Sequence, residues 1–185
     1  MKNSPRALSR KAEGFTIVEL VVVIILLGIL AATALPRFID VDEEAHEAAF
    51  EGVMGGFQTG VAMFHAQWVA DGQFAAGTQI PEFANLRTNA TGYPYSTTAQ
   101  TGHVPANATD CVTVFTGVLQ GGPSISGITA VANLSTATTD YAVDENSDLC
   151  NYYYTGQSNQ AGQTIPFFSY APVTGIVTRG TQTIP

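Results

Sequence analysis

The sequence has no lysine after Lys11 and only three arginines after Arg10, namely Arg37, Arg87 and Arg179. Charged residues make up 12% of its 185 positions, and the formal net charge is −8. A chain so poor in cations is not built to grip nucleic acid or another polyanion, and it suits an exposed, self-repelling body. Its cysteines are Cys111 and Cys150, without C-x-x-C spacing, too few and too far apart for a zinc or dithiol redox centre. No G-x-S-x-G, H-E-x-x-H, P-loop or G-x-G-x-x-G occurs, and His46, His65 and His103 are scattered. These absences argue against an enzyme and against a bound cofactor.

What is present is concentrated at the front. Lys2, Arg6, Arg10 and Lys11 precede Gly14, and residues 15–35 form an apolar run interrupted by one carboxylate, Glu19. Three readings are open. A secretory signal has a basic start and a cleavage site of small residues, for which Ala32-Thr33-Ala34 qualifies. The run is long for such a signal, and Glu19 interrupts it. A plain anchor is the second reading, since roughly 20 apolar residues span a bilayer. The cations before it would then hold that end in the cytoplasm. Neither reading accounts for a carboxylate that costs about 2.5–3.5 kcal/mol at the bilayer centre.

The third reading does. Gly14-Phe15-Thr16-Ile17-Val18-Glu19-Leu20, after a basic leader and before an apolar run closed by Pro36, resembles the class III signal of the type IV prepilins. The resemblance implies removal of residues 1–14 by a prepilin peptidase, which also methylates the new amino terminus at Phe15. It implies that Glu19 is the assembly residue, pairing with the Phe15 amine of a neighbouring subunit. A buried polar pair of this kind sets register. Thr16-x-x-Glu19 is also a capping box, and the two roles are compatible. Within the family, the stem, the TGYPY of residues 91–95 and the closing Y-x4-G-I-V of residues 170–177 are most similar to MSHA-type pilins of Gram-negative marine bacteria. The leader is longer than is usual there, and the tail continues well past Cys150.

Beyond Pro36, which should kink or locally open the chain, the pattern stays helical. Phe38, Val41, Ala45, Ala49, Val53, Phe57, Val61, Phe64 and Trp68 recur at steps of three and four, which predicts one apolar face. A continuous helix over residues 15–68 would run about 80 Å. Gly52, Gly56 and Gly60 form a stripe costing about 1 kcal/mol each relative to alanine. Close approach of another backbone and local irregularity are both open explanations.

After Asp71-Gly72 the composition turns to Thr, Ser, Asn and Gly. Residues 88–110 read as a long surface loop, and residues 111–119, 149–156 and 165–179 as strands, the last a hairpin. With an export signal upstream, Cys111 and Cys150 read as a disulfide enclosing roughly 40 residues, against two unrelated buried thiols. Asn89, Asn107 and Asn133 head glycosylation sequons, expected to be coincidental. Asp140, Asp144, Glu145 and Asp148 fall in one expected loop, where a calcium site and a polar turn are both open.

The expected architecture is α+β, a long N-terminal helix packed on a small antiparallel sheet of about four strands, as in the type IV pilin fold. Its parts are a leader (1–14), a stem in membrane or filament core (15–35), an amphipathic helix (36–71) and a β-rich head (72–185) whose residues 111–150 form a disulfide-bounded region. The resemblance implies a pilus subunit that polymerises with copies of itself for surface attachment. Its partners would be the peptidase/methyltransferase and the inner-membrane assembly machinery, with no nucleic acid. It would sit in the inner membrane, N-terminus cytoplasmic and head periplasmic, before entering an extracellular filament. A type II secretion pseudopilin shares the stem. An exported soluble binding protein, cut after Ala34, would lack it.

Overall fold

The computed structural model describes residues 14–185, and for residues 35–40 the backbone alone. The expected leader, Gly14 apart, and the side chains of Pro36 and Phe38 therefore lie outside the described residues. The chain forms two compact units, Met1–Glu44 and Ala45–Pro185.

One helix, α1 (Ile17–Ala70), begins in the first unit and ends in the second, and its backbone stays helical through position 36. It stops where the sequence announces a stop. Gly72 and Gln73 take left-handed φ of 91° and 57°, and the Gln73 amide returns to the Trp68 carbonyl at 2.9 Å.

In the second unit the buried face of α1 starts at Phe50 and continues through Phe57, Gly60, Val61 and Phe64, flanked by Val53, Met54 and Trp68. From Val53 to Trp68 this is the predicted face. It departs only before Val53, where Val41, Ala45 and Ala49 are exposed and Phe50 is in the core, because alanines satisfy either register.

Residues 111–119 were expected to be a strand; they form a helix, α2 (Ala108–Leu119). Their valines, threonines and phenylalanine have strand propensity, but Cys111, Val114, Phe115 and Val118 are the buried set, which is helical spacing. The ends are specified locally. Asn107 caps the helix through Oδ1, which accepts the Asp110 amide at 3.1 Å. Gln120 closes it in the left-handed region, its amide returning to the Thr116 carbonyl. One glycine of the stripe is explained here: a Cβ on Gly60 would lie 2.3 Å from the Val118 side chain, so α1 and α2 touch through it.

The predicted loop of residues 88–110 contains a strand and the start of α2. A small antiparallel sheet runs β1 (Gln79–Ile80), β2 (Leu86–Thr88), β3 (Pro94–Ser96). The main sheet has five strands in sequence order: β4 (Ile125–Gly127), β5 (Tyr141–Asn146), β6 (Leu149–Tyr154), β7 (Thr164–Ala171) and β8 (Ile176–Thr183). All its neighbours are antiparallel except β4, which runs parallel to β5. The β5–β6 hairpin turns on Ser147 and Asp148, both at positive φ, as a two-residue hairpin requires. The β7–β8 hairpin, expected from sequence, is present with eight residue pairs. Its Gly175 has φ +71°, and a Cβ there would meet the Tyr93 ring at 2.2 Å.

The main core fills the space between α1, α2 and one sheet face. Phe57 sits at its centre, with ring centroids of Tyr152, Phe168 and Tyr170 at 5.2–5.3 Å. Two tyrosine hydroxyls there are used: Tyr152 donates to the Cys111 carbonyl and Tyr170 to that of Pro94, each at 2.9 Å. Burial pushes both phenols well above their usual pKa. A second cluster of Ile128, Leu134, Ala142, Tyr153, Ile165 and Ile184 forms separately. Consecutive β5 residues Tyr141–Asp144 are all buried, which requires cover on both faces of the sheet.

Cys111 of α2 and Cys150 of β6 form a disulfide, Cα–Cα 5.5 Å, with both cysteines fully buried. Replacing Cys150 by serine is expected to lower stability by about 2–5 kcal/mol. Denaturant unfolding of the detergent-solubilised chain would read this loss, and an unchanged midpoint would show that the core holds α2 without the bridge.

Candidate functional site

The stem presents its chemistry in its first turn. Gly14, Phe15 and Thr16 precede the helix, and Phe15 is 94% exposed. Thr16 occupies the N-cap position, and the predicted capping box is formed. The Thr16 amide and hydroxyl both donate to Glu19 Oε2 at 2.9 Å, and the Glu19 amide donates back to Thr16 Oγ1 at 3.2 Å. A carboxylate at this end also meets the positive end of the helix dipole.

From Ile17 to Ala34 the helix has a mean hydropathy of 2.8, and none of that stretch is buried within the chain. Leucine, isoleucine and valine side chains on every side of it stand exposed, from Ile17 to Leu30. At 1.5 Å per residue, 18 residues rise about 27 Å, close to the hydrocarbon thickness of a bilayer. Its other polar side chain, Thr33, donates back to the carbonyls of Ile29 and Leu30, so no hydroxyl of the stem is left unpaired, as lipid demands. A helix apolar on all sides is stable only when something apolar surrounds it.

Of the residues singled out in the sequence, Gly14 and Phe15 precede the helix and Glu19 lies in its first turn, and Cys111 and Cys150 meet in the other unit. The four acids considered for calcium do not converge. Asp144 is buried in β5 and accepts from Asn151 and Tyr153, whereas Asp140 accepts the amide and hydroxyl of Ser124. Glu145 accepts the Asp148 amide across the hairpin. Among the described residues no group of three metal-ligating side chains forms. Two sequon asparagines serve the fold: Asn107 caps α2, and Asn89 is buried, its amide donating to the Pro172 carbonyl at 2.6 Å. His65 stacks on Tyr93 at 4.5 Å, a packing role.

Sequence reasoning missed two polar features. Arg179 of β8 bridges Glu47 and Glu51 of α1, the latter at 2.5 Å, with its guanidinium 5.4 Å from the Phe50 ring centre. The i, i+4 glutamates were the available signal. Asp110, nearly buried, accepts from Ser96, Thr98, Gln100 and the Ala106 amide, pinning the β3–α2 connection. Its only signal was its place in the first turn of a helix that had been read as a strand.

Comparison with known proteins bears on the stem. The prokaryotic N-terminal methylation motif matches residues 9–35, a span that contains Gly14, Phe15 and Glu19. The chain is 37% identical over 57 residues to the type IV narrow pilus major component PilA5 of Thermus thermophilus. That match covers 31% of this chain and 49% of the relative, so the chain spans about half the length of the protein it matches. No solved structure matches it. An uncovered apolar helix opened by this motif, on an α+β chain similar to a pilus component, is that of a type IV pilin-like protein with a prepilin N-methylation motif.

Proposed function

We propose that this chain is the structural, non-catalytic subunit of a type IV pilus. The observation that carries the reading is the stem: a membrane-length helix with no internal cover, whose one charge sits in the first turn. Cleavage after Gly14 and methylation at Phe15 would leave that turn at the amino terminus. Before assembly the chain is held in the inner membrane, N-terminus cytoplasmic and head periplasmic. On assembly the stem leaves lipid for a bundle of identical stems, so apolar cover is kept throughout. There the Glu19 carboxylate meets the Phe15 amine of a neighbour and sets the axial register. Pro36 removes one helix hydrogen bond and localises bending of α1. Among pilins, the residues of the stem and the Y-x4-G-I-V closure favour an MSHA-like pilus used for surface attachment.

The test is electron microscopy of sheared cell-surface material, labelled with antibody against residues 45–185. Long labelled extracellular filaments are expected. Labelling confined to the envelope, with filaments absent, would instead favour a secretion pseudopilus.

A further inference from the structure

We propose that β8 is a self-docking edge, to which a second copy of this chain adds its own β8 antiparallel. β8 lies at the edge of the main sheet and pairs with β7 on one side alone. The Ile184 amide bonds the Gln163 carbonyl at 2.8 Å, so the alternation of the ladder fixes which backbone groups β8 spends on β7. Those of Ile176, Thr178, Gly180 and Gln182 point toward β7. Those of Val177, Arg179, Thr181 and Thr183 point out of the sheet. Among the described residues only the Thr183 carbonyl in this outward row has a partner, the Gln182 side chain, which donates to it at 2.7 Å.

Proteins guard open edges with lysine, proline, a bulge or brevity. β4, at the other edge, is three residues long. β8 runs for eight residues in unbroken register, with neither lysine nor proline. Charge selects the occupant. A chain of formal net charge −8 tends to repel its own copies. No aspartate or glutamate follows Asp148, and Arg179, the one cation beyond it, is engaged by Glu47 and Glu51. Two copies therefore meet with least repulsion along β6, β7 and β8. The strand also sets the register. Centred on Gly180, antiparallel pairing puts Val177 opposite Thr183 and Arg179 opposite Thr181, so the whole outward row is matched. Centred one residue earlier, it would oppose the two Arg179 side chains, which is destabilising.

The twofold axis of such a pair stands perpendicular to the sheet. It reverses whatever runs along the sheet face, the Phe50–Phe64 segment of α1 included. Subunits of one filament share a polarity, so the pair joins filaments that run in opposite directions, as those of two facing cells do. That consequence rests on the filament reading, and the pairing itself does not.

The experiment uses the full-length chain in its native host, with Thr178→Cys in one strain and Gln182→Cys in another. In the proposed register these positions face each other as a non-hydrogen-bonded pair, close enough for a disulfide. The native cysteines are already bonded to each other. Mixed cells, and separately mixed detergent-solubilised chains, are oxidised with diamide and scored for disulfide-linked dimers. Both mixtures should give dimers, and either variant alone should give few. Thr181→Pro, added to both chains, removes one outward amide from each strand and leaves the ladder to β7 intact. Dimer yield should then fall about tenfold or more, as the loss of two backbone hydrogen bonds implies. An unfolding midpoint near that of the parent confirms that this variant folds, and the cysteine pair decides the matter even where it does not. No dimers from the solubilised mixture would overturn the pairing, and equal yield from a single variant would overturn the register. Unchanged yield from a folded proline variant would overturn the edge as the route. Dimers from solubilised chains with none between filament-bearing cells would overturn the joining of opposed filaments alone. Cells without filaments would count against the filament reading instead.

Discussion

Glu19→Ala is expected to leave the chain in the membrane and to abolish filament formation. Insertion should not suffer, because the change removes the one charge in Ile17–Ala34, and a charge in a membrane span only ever adds to the cost of insertion. Loss of the capping box would cost on the order of 1 kcal/mol at the helix start, small beside the apolar surface that keeps the stem in lipid. Assembly is different, because identical apolar helices slide past one another without a preferred register. A single polar pair penalises every register but one, since any other leaves a charge in the bundle without its partner. Membrane fractionation and microscopy of sheared material read the two outcomes separately. Filaments of normal length and number from this variant would refute the role.

Phe57→Ala should unfold or nearly unfold the Ala45–Pro185 unit while leaving the stem untouched. The ring is fully buried and lies against Phe115, Tyr152, Phe168 and Tyr170. A phenylalanine so placed costs about 3–5 kcal/mol on truncation, a large fraction of the roughly 5–15 kcal/mol that holds a typical domain. Met63→Ala, on the same helix but 62% exposed, is the control and should shift stability little. Denaturant unfolding of the solubilised chains decides the matter, and equal midpoints for the two variants would show that Phe57 is not central to the core.

The parts of this molecule that the sequence announces are those set by local chemistry. Thr16 and Glu19 form the capping box that their spacing predicts, the apolar run is the uncovered helix, and the β7–β8 hairpin lies where the turn residues place it. Cys111 and Cys150 pair as read. Long-range packing was less legible. Residues 111–119 carry strand formers yet fold as α2, because Asn107 and Gln120 close both ends of a helix and burial of Val114, Phe115 and Val118 overrides propensity. The predicted face of α1 matches from Val53 to Trp68 but omits Phe50, because the alanines before it fit either register and Phe50 is fixed only through contact with Tyr154 and Phe168. Arg179 depends on Glu51 and Glu47, 128 and 132 residues away, and the bonds of Asp110 to residues 96–106 were hidden while α2 was read as a strand.

The account turns on how the chain begins after processing, and mass spectrometry of its amino terminus tests that directly. Lysine is absent after Lys11, so in a chain starting at Phe15 the terminal amine is the only aliphatic amine, and a modification there cannot be confused with one elsewhere. The predicted result, on filaments sheared from cells, is a chain that starts at Phe15 and carries one added methyl group on that nitrogen. A chain that starts at Leu35 would contradict the account, because the stem, Glu19 and the assembly mechanism would then belong to a discarded signal.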